Sequence, residues 1–381
     1  MKIIIAPDSF KGSLTAKEVC YHIEKGILKK IPDAQILKIP VADGGEGTID
    51  ALLDSLNGKL KNVDVHNPIG NKIQGYYGLI DDSTAIIEMA VASGLPLLTD
   101  LERNPLQTNT YGTGELIMDA LNSGCNKIII CIGGSATNDG GAGMLKALGV
   151  KFYNQLGLMN DINGGNLNEI LSFSLNDFDK RIEKIKIIVA CDVINPLLGI
   201  NGASEVFAPQ KGADKNQVKI LENNLTHFAD IVEEHFKKEF RNLPGSGAAG
   251  GLGFSLLSFL NAELKNGIDI VLNTIDFEQK ISSFQPSLII TGEGKMDYQT
   301  AFGKAPLGVA ILAKKFNIPV IAFCGSLGKN YEHLFENGFD GIFSIMKNGV
   351  SLKDSMENAG KFLENAVKRE IEINSRQLFQ K

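Results

Sequence analysis

The sequence predicts an α/β fold in two domains, and three observations lead to that prediction. Short β-branched apolar runs alternate with helical patterns through most of the chain, which is typical of a parallel sheet flanked by helices. Residues 58–89 break the alternation with shorter runs and Asn-Pro, Gly-Asn and Asp-Asp turns, which indicate antiparallel hairpins. The length of 381 residues fits about two domains. Together these observations favour α/β structure at both chain ends and an inserted domain between them.

The first strand is predicted at Ile3–Ile5 and the first helix at Thr15–Ile31, where apolar side chains recur at four-residue spacing. Ser13 or Thr15 caps this helix, and Glu18 supplies the acid of a capping box with Thr15. The other β-branched apolar runs predict buried strands, and an amphipathic run predicts a final surface helix. These elements are the strands Gln35–Ile39, Lys127–Cys131, Ile185–Cys191, Leu288–Thr291 and Pro319–Cys324, and the helix Leu352–Ile373.

Composition excludes several classes of protein. Hydrophobic residues make up 44% of the chain, which is enough for a sizeable core. The formal net charge is −6 and no long basic run occurs, so nucleic acid is not an expected partner. No run approaches the roughly 18 apolar residues of a membrane span. The five cysteines show no CxxC spacing, which fits a reducing compartment, so we expect a soluble cytoplasmic protein.

Several familiar site motifs are absent or misplaced. No GxxxxGK[ST] occurs, so the chain is not an ordinary P-loop protein. The single GxGxxG, at 245–250, follows a long helical segment and Asn-Leu-Pro, whereas dinucleotide binding requires a preceding strand. The five histidines form no HExxH and no Cys/His cluster, which argues against a zinc enzyme.

Two loops in the first fifty residues combine carboxylates with glycines where strands end. APDSFKGS (6–13) carries Asp8 and Lys11, and PVADGGEGT (40–48) carries Asp43 and Glu46. Carboxylate oxygens suit Mg²⁺, and an ammonium neutralises phosphate charge. The alternatives are plain turn acids and a solvated surface lysine. The crevice beyond the carboxyl ends of parallel strands is nevertheless where α/β proteins bind ligands.

A third loop, GGSATNDGGAG (133–143), follows the strand Lys127–Cys131 and opens a helix that Asn138 or Asp139 can cap. Small residues let backbone N–H groups converge on an anion, and the helix N-terminus adds partial positive charge. A tight strand–helix turn that needs glycine only for its backbone angles is the alternative. The number of small residues exceeds what such a turn needs, so the loop predicts anion binding.

Three later loops repeat this pattern. TGEGKMDYQT (291–300) places Glu293 between glycines and Asp297 four residues later, which indicates close approach of a ligand. ACDVINPL (190–197) ends a strand near Asp192, and VFAPQKGA (206–213) presents Lys211. An aspartate at the end of a strand is placed to act as a general base, although it can equally bond a neighbouring loop.

Acids, lysines and anion nests on several strand ends are the components of phosphoryl transfer, which depends on positioning and charge stabilisation. Two other functions stay open. An NAD-dependent oxidoreductase needs a Gly-rich fingerprint after the first strand, where this chain has PDSFKGS with one glycine. A non-enzymatic sensor of a metabolite or nucleotide needs ligand contacts but no metal-binding acids.

The chain resembles the bacterial glycerate kinase family of the glyoxylate and sugar-acid pathways. The resemblance extends from about residue 2 to 375 and is carried by nine blocks in order. These are APDSFKGS, PVADGGEGT, GTGELI (112–117), GGSATNDGGAGM (133–144), ACDVINPL, VFAPQKGA, GAAGGLG (247–253), TGEGKMDYQT and GKAPLGVA (303–310).

The resemblance implies that the protein phosphorylates D-glycerate with ATP and Mg²⁺, giving phosphoglycerate and ADP, with 2-phosphoglycerate favoured over 3-phosphoglycerate. It also implies a flavodoxin-like doubly wound domain formed by residues 1–65 and 265–381. An inserted α/β domain with a restriction-endonuclease-like sheet is expected at 66–264. In-line transfer would then occur in the cleft between the domains. The oligomeric state stays open.

The chemistry of the loops assigns each candidate residue a role. Catalytic roles fall to Asp192 as the group that orients or deprotonates the attacking hydroxyl, to Lys11 and Lys211 as neutralising cations, and to Asp8. The expected magnesium ligands are two or more of Asp43, Glu46, Glu293 and Asp297. The expected nucleotide- or substrate-binding residues are Ser9, Ser13, Gly133, Gly134, Ser135, Thr137, Asn138, Gly292 and Gly294. Asp8, Lys11, Asp43, Glu46, Glu293 and Asp297 are expected in the first domain, and Gly133–Asn138, Asp192 and Lys211 in the second.

Overall fold

The structure is a computed structural model that describes residues 1–301, 303–346 and 349–378, without the side chains of residues 299 and 374–378. The described part of the chain contains fourteen strands. They are β1 (Lys2–Ile5), β2 (Gln35–Lys38), β3 (Lys59–His66), β4 (Lys72–Leu79), β5 (Thr84–Glu88), β6 (Lys127–Cys131), β7 (Lys151–Asn154), β8 (Gly157–Leu158), β9 (Ser172–Ser174), β10 (Lys186–Ala190), β11 (Glu263–Lys265), β12 (Leu288–Met296), β13 (Val320–Leu327) and β14 (Gly341–Ser344).

The same residues contain thirteen α-helices. They are α1 (Ala16–Leu28), α2 (Thr48–Leu56), α3 (Ala90–Ser93), α4 (Tyr111–Asn122), α5 (Ala142–Ala147), α6 (Ala203–Phe207), α7 (Lys215–Phe236), α8 (Ala248–Phe259), α9 (Gly267–Thr274), α10 (Phe277–Phe284), α11 (Ala305–Lys315), α12 (Leu352–Glu357) and α13 (Ala359–Leu378). The mixed α/β class predicted from the sequence is confirmed. No helix among the described residues is both long and apolar enough to cross a membrane.

The chain divides into two compact units. The first comprises Met1–Asp43, Asp50–Asn57 and Asn266–Lys381, and the second comprises Gly44–Ile49 and Gly58–Lys265. Residues 58–65, expected in the first domain, form most of β3, which pairs with β4 in the second unit. Glu46, also expected in the first domain, lies in the short segment that groups with the second unit.

The first unit contains a five-stranded parallel sheet in the order β14-β13-β12-β1-β2. When the strands are numbered within this unit alone, their order is 2-1-3-4-5. Strand β2 lies on one side of β1 and the later strands lie on the other side, so the strand order reverses between β1 and β12. In open α/β sheets, ligands bind beyond the carboxyl ends of the strands at such a reversal. The loops that carry Asp8 and Glu293 belong to these two strands.

Helices α1 and α13 cover one face of this sheet. Their apolar stripes, including Ile23 and Val367, share one core with Ile3, Ile290 and Phe323 of the strands. Helix α1 begins where the sequence predicts: the hydroxyl of Thr15 accepts from the backbone N–H of Glu18, whose carboxylate accepts from the backbone N–H of Thr15. Thr15, rather than Ser13, is therefore the cap.

The second unit contains a mixed six-stranded sheet in the order β11-β10-β6-β5-β4-β3. The hairpin predicted within residues 58–89 is confirmed, because β3 pairs antiparallel with β4 and β4 with β5. Strands β5, β6, β10 and β11 are parallel. A smaller antiparallel sheet is formed by β8, β7 and β9.

Two elements show the largest differences from the sequence prediction. Strand β12 continues to Met296, five residues beyond its predicted end at Thr291, because Gly292 allows close parallel pairing with Phe323 of β13. The predicted helix Leu352–Ile373 is two helices, α12 and α13, separated at Asn358. In the sequence, Gly292 and Gly294 were interpreted as a sign of a loop, whereas in the structure they lie within strand β12 and serve its packing.

Candidate active site

The loop after β1 is a compact turn that places Asp8 beside β12. The backbone N–H of Asp8 donates to the carbonyl of Gly292 at 2.8 Å, and that of Phe10 donates to Leu14 at 2.8 Å. The Asp8 carboxylate accepts from the backbone N–H of Ser9 at 2.6 Å. The predicted residues Asp8 and Ser9 therefore lie together at the point between β1 and β12 where the strand order reverses.

Asp8, Asp43 and Glu293 form what we call the acid cluster. Burial, followed by the negative charges of Asp43 and Glu293, raises the pKa of Asp8 to about 8. Burial also raises the pKa of Glu293, and the charge of Asp43 adds to that effect. Like charges held together out of water are costly unless a cation joins them. The cluster therefore has the electrostatics of a cation site.

Two of the four predicted metal ligands already have lysine partners. Glu293 accepts from the hydroxyl of Thr300 at 2.6 Å through Oε1 and from Lys304 Nζ at 3.0 Å through Oε2. Asp297 Oδ2 lies 2.9 Å from Lys295 Nζ. Within the described residues, no group of three or more His, Cys, Asp or Glu side chains is close enough to hold a metal ion by itself. A magnesium ion here would need oxygens from its substrate, as is usual for this ion.

Sequence reasoning did not select Thr300, Lys295 or Lys304. All three lie inside motifs that it quoted, TGEGKMDYQT and GKAPLGVA, but it weighed only the acids and glycines in them. The alternation of acidic and basic residues around this turn is the pattern that could have identified the two lysines. Lys304 precedes the first residue of α11, so its backbone position holds it beside β12.

Gly292 and Gly294 were predicted to admit a ligand, and in the structure protein atoms lie where a Cβ of either residue would stand. A Cβ on Gly292 would lie 2.0 Å from the carbonyl oxygen of Phe323 on β13. A Cβ on Gly294 would lie 3.1 Å from the backbone nitrogen of Lys11. These contacts give both glycines a packing role, and their predicted ligand-binding role stays a prediction.

The remaining residues of the first loop separate into an exposed cation and a structural hydroxyl. Lys11 is exposed, and its ammonium has no hydrogen-bond or ion-pair partner among the residues described. Ser13 Oγ donates to the carbonyl of Met356 at 2.7 Å, which ties the turn to α12. Lys11 keeps its predicted availability, whereas the Ser13 hydroxyl is already used.

The DGGEG turn separates its two acids. Asp43 is half-buried and its charge acts on Asp8, while Glu46 is exposed. Gly44 and Gly47 adopt φ values of 89° and 90°, which side chains rarely tolerate, so these glycines shape the turn. Asp43 therefore belongs to the acid cluster, and no contact of the Glu46 carboxylate supports its inclusion.

In the second unit, residues 133–143 form what we call the glycine loop, between β6 and the first turns of α5. Gly133 and Gly134 are exposed, and Gly134 has a φ of 74°. Ser135, Thr137 and Asn138 are buried at 6%, 0% and 0% exposure. Of the predicted binding residues in this loop, only the two glycines offer accessible backbone.

The buried part of the glycine loop is held by two charges. Lys211 is 1% exposed and its ammonium donates to the carbonyl of Thr137 at 2.6 Å. Asp139 accepts from the backbone N–H of Thr110 at 2.8 Å, from the Thr110 hydroxyl at 2.8 Å and from the backbone N–H of Gly143 at 3.0 Å. These contacts fix the backbone of the loop.

Lys211 is therefore placed differently from its prediction as a phosphate-neutralising cation. Burial lowers its pKa to about 7, and the nearby charge of Asp139 only partly offsets that effect. A fully buried ammonium that already donates to a carbonyl supports the loop from beneath. The Gln-Lys-Gly sequence is typical of a surface turn and gave no indication that Lys211 would be buried.

Asp192 lies two residues beyond the end of β10 and is exposed, in a stretch without regular structure. Cys191 before it donates its thiol to the carbonyl of Val193, and burial raises the pKa of that thiol to about 11. The predicted position of Asp192 past a strand end is correct. These contacts do not test the predicted role of Asp192 as a general base.

Comparison with known proteins gives the same result across the whole chain. The model of the glycerate kinase family matches residues 3–374. A glycerate kinase from Halalkalibacterium halodurans is 47% identical over 98% of this chain and 98% of its own length. A protein from Escherichia coli named glycerate 2-kinase is 46% identical over 94% of each chain.

A solved structure agrees. A crystal structure from Salmonella typhimurium LT2, described as a candidate glycerate kinase 2, superimposes with a TM-score of 0.89 at 42% identity, covering 99% of each chain. The resemblance carried by the nine sequence blocks is thus confirmed by matches that leave almost no residue unaligned. This chain belongs to the glycerate kinase family.

Proposed function

We propose that this protein transfers the γ-phosphoryl group of ATP to the C2 hydroxyl of D-glycerate, giving 2-phosphoglycerate and ADP. That it is an ATP-dependent kinase of its family follows from the matches over the full chain. The choice of hydroxyl is supported by the name of the Escherichia coli relative, glycerate 2-kinase. The observation that carries the chemistry is the acid cluster, whose like charges a divalent cation would offset.

Asp8 and Asp43 are the residues that we propose hold Mg²⁺. Their mutual repulsion and the raised pKa of Asp8 fit a site that a divalent cation completes. When bound, the ion would offset the negative charge that develops during phosphoryl transfer. Glu293 contributes negative charge beside them, while Thr300 and Lys304 keep its carboxylate in place.

Lys11 is proposed to contact a phosphate or the glycerate carboxylate. It is exposed on the turn that also carries Asp8, so its ammonium can follow a ligand without losing a protein partner. The turn is fixed by Ser13 and Gly12, whose φ of 74° permits the reversal of the chain. A lysine on a rigid turn places a point charge on a flexible stem within reach of the ligand.

Gly133 and Gly134 are proposed to bind phosphate oxygens through their backbone N–H groups. Their exposure beside buried, hydrogen-bonded neighbours supports this role, since a rigid exposed backbone is what an anion nest requires. Asp192 is proposed to orient or deprotonate the attacking hydroxyl. The cleft between the domains stays a prediction.

The strand order of the first unit, 2-1-3-4-5, supports the flavodoxin-like description of that domain. The mixed six-stranded sheet of the second unit is the one for which we propose the restriction-endonuclease-like description.

One reaction tests the proposal. Purified protein with ATP, Mg²⁺ and D-glycerate is followed by phosphorus NMR, with L-glycerate and a glycerate-free sample as controls. We expect 2-phosphoglycerate to accumulate in step with ADP. A 3-phosphoglycerate signal would overturn the regiochemistry, and ADP no greater than in the glycerate-free sample would overturn the acceptor.

A further inference from the structure

Residues 88–95 support the glycine loop along its backbone. The backbone N–H of Leu95 donates to the carbonyl of Gly134 at 2.9 Å, and the backbone N–H of Ala136 donates to the carbonyl of Ser93 at 2.9 Å. These two hydrogen bonds hold one side of the loop's exposed glycines in place. No residue of this segment was among the site candidates chosen from the sequence.

Glu88 begins this segment with a buried carboxylate. It is the last residue of β5, lies opposite Cys131 in the register with β6, and is 7% exposed. Its Oε1 accepts from the backbone N–H of Ile49 at 2.9 Å. Ile49 is the second residue of α2, where a backbone N–H has no acceptor within the helix and requires one from elsewhere. The Glu88 side chain therefore ties Ile49 to the end of β5.

The segment that Glu88 holds, Gly44–Ile49, lies beside the glycine loop within the second unit. Thr48 is 1% exposed, and its hydroxyl donates to the carbonyl of Gly45 at 2.7 Å, which folds the segment on itself. The nearest atom to a Cβ built on Gly133 is the Cα of Gly45, at 3.7 Å. Two glycine-rich motifs that are distant in sequence are therefore adjacent in space.

Both segments have the backbone shape of an anion nest. Gly44 has a φ of 89° and Gly134 a φ of 74°, and neighbouring N–H groups in such left-handed turns converge on one side. Gly45 is half-buried and Gly133 is exposed, so protein closes off neither of them. A phosphate chain carries several oxygens, and adjacent nests can bind it together.

We propose that Glu88 is a positioning residue for ATP, which holds the segment Gly44–Ile49 against the exposed glycines of the glycine loop so that both segments bind phosphate. The inference rests on the proposed function, because that function gives Gly133 and Gly134 their phosphate-binding role. Glu88 acts through Ile49 and contacts no phosphate itself. Its removal should therefore raise the KM for ATP and leave the KM for glycerate nearly unchanged.

The first test compares three variants. Glu88→Ala should raise the KM for ATP at least fivefold, with less than a twofold change in the KM for glycerate. Glu88→Gln keeps an oxygen that accepts from Ile49, so its KM for ATP should stay within about twofold of the wild type. Glu233→Ala is the matched control, since Glu233 also accepts from a backbone N–H, that of Phe240 at 2.7 Å. This control should lower the melting temperature without changing the KM for ATP.

Three outcomes would overturn the proposal. They are an unchanged KM for ATP in Glu88→Ala, equal increases in the Ala and Gln variants, and an increase in Glu233→Ala as large as that in Glu88→Ala. The last of these would mean that general destabilisation, and not the position of Gly44–Ile49, sets the KM.

Thr48→Val keeps the test decisive if Glu88→Ala does not fold, because threonine and valine have nearly the same shape. It removes only the hydroxyl that holds Gly45, and it should raise the KM for ATP about threefold. A normal KM in this variant would contradict the proposal. In Glu88→Gln, which keeps the acceptor, the Ile49 amide should exchange its hydrogen slowly, and in Glu88→Ala it should exchange faster while the amides of β6 do not. Equal exchange at Ile49 in the wild type and the Ala variant would contradict the docking.

Hydrogen exchange with a bound nucleotide separates this inference from the proposed function. The wild type is measured with AMP-PNP and Mg²⁺ in the absence of glycerate, so the result does not depend on the acceptor. We expect the amides of residues 44–47 and 133–134 to be protected together. Protection of residues 133–134 alone would overturn this inference and leave the proposed phosphate role of the glycine loop intact. Protection of neither segment would overturn both.

Discussion

The acid cluster of the first unit and the glycine loop of the second both bury charge, but they balance it in opposite ways. Asp8, Asp43 and Glu293 bring charges of one sign together, and the pKa of Asp8 rises to about 8. The glycine loop places the Lys211 cation and the Asp139 anion beneath its backbone, where hydrogen bonds complete both. The comparison indicates that the acid cluster has the electrostatics of a site that a cation would stabilise, whereas the backbone of the glycine loop is held by protein contacts and exposes Gly133 and Gly134.

The largest effect should come from removing a charge of the acid cluster. Asp43→Asn should lower kcat at least a hundredfold, because the magnesium site that we propose loses one of its two carboxylates. Titration of kcat with Mg²⁺ should also show a higher midpoint. Asp33→Asn, on an exposed turn of the same unit, is the control. An unchanged Mg²⁺ dependence would remove Asp43 from the metal site.

Lys11→Ala should lower kcat more than tenfold and leave the melting temperature within about 1 °C of the wild type, because an exposed side chain without a partner contributes little to stability. Steady-state kinetics and thermal melts measure the two quantities. Lys17→Ala is a matched control, since that exposed lysine pairs only with Asp54. Normal turnover would make Lys11 a solvated surface residue, the alternative noted from the sequence.

Two substitutions distinguish a glycine that is required for packing, Gly292, from one that we propose binds a ligand, Gly133. Gly292→Ala should cost about 3 kcal/mol in the free energy of unfolding, since its Cβ would collide with the carbonyl of Phe323. Gly133→Ala has no atom closer than 3.7 Å, so it should change stability by less than about 0.5 kcal/mol.

The KM for ATP should distinguish the same two variants in the opposite sense. Gly133→Ala should raise the KM for ATP several-fold, because a methyl group would stand where phosphate oxygens meet the backbone. An unaltered KM would argue that the glycine loop is only a turn. Urea unfolding and steady-state kinetics provide the two measurements.

The raised pKa of Asp8 predicts a stability that falls with pH. The folded protein holds the Asp8 proton more tightly than the unfolded chain, so this stabilisation is lost between pH values of about 4 and 8. In EDTA, Asp8→Asn should melt several degrees above the wild type at pH 8, and the gap should narrow at pH 5. Asp33→Asn should show no such pattern, and a constant gap would contradict the acid cluster.

The smallest expected effect is the opposite slope at Lys211. Because burial lowers its pKa to about 7 from 10.5, the unfolded chain binds more protons between these values and stability should rise with pH there. Lys211→Met should lack this rise, and Lys219→Met, exposed on α7, should keep it. Identical slopes in all three proteins would mean that Lys211 is not buried in solution.

Much of the fold could be predicted because its signals are local. Strand β6 has the predicted bounds, Lys127–Cys131, since a β-branched run between polar residues has few other uses. The capping box of α1 is equally local. The end of β12 was missed because Gly292 is explained by the carbonyl of Phe323, which is 31 residues away in sequence and invisible to any short pattern.

The candidate site shows the same division. The sequence identified Asp8, Asp43 and Glu293 as site acids by residue type and glycine neighbours, and the structure brings their charges together. It could not show that Lys304 would pair with Glu293 or that Lys211 would lie beneath Thr137. Both depend on burial and tertiary contact, which a lysine in a glycine-rich motif does not reveal.

The pairing of β1 with β12 also sets the order in which the chain can fold during synthesis. Ile3 lies opposite Leu288, and β1 has no partner on that side until residue 288 has left the ribosome. At roughly 5–20 residues per second, the apolar strand waits for about 15–60 s. The second unit ends at Lys265 and can fold during that interval. Nascent chains of this protein therefore expose an unpaired isoleucine-rich strand edge for most of their synthesis, and a chaperone that binds apolar unfolded segments should bind there first.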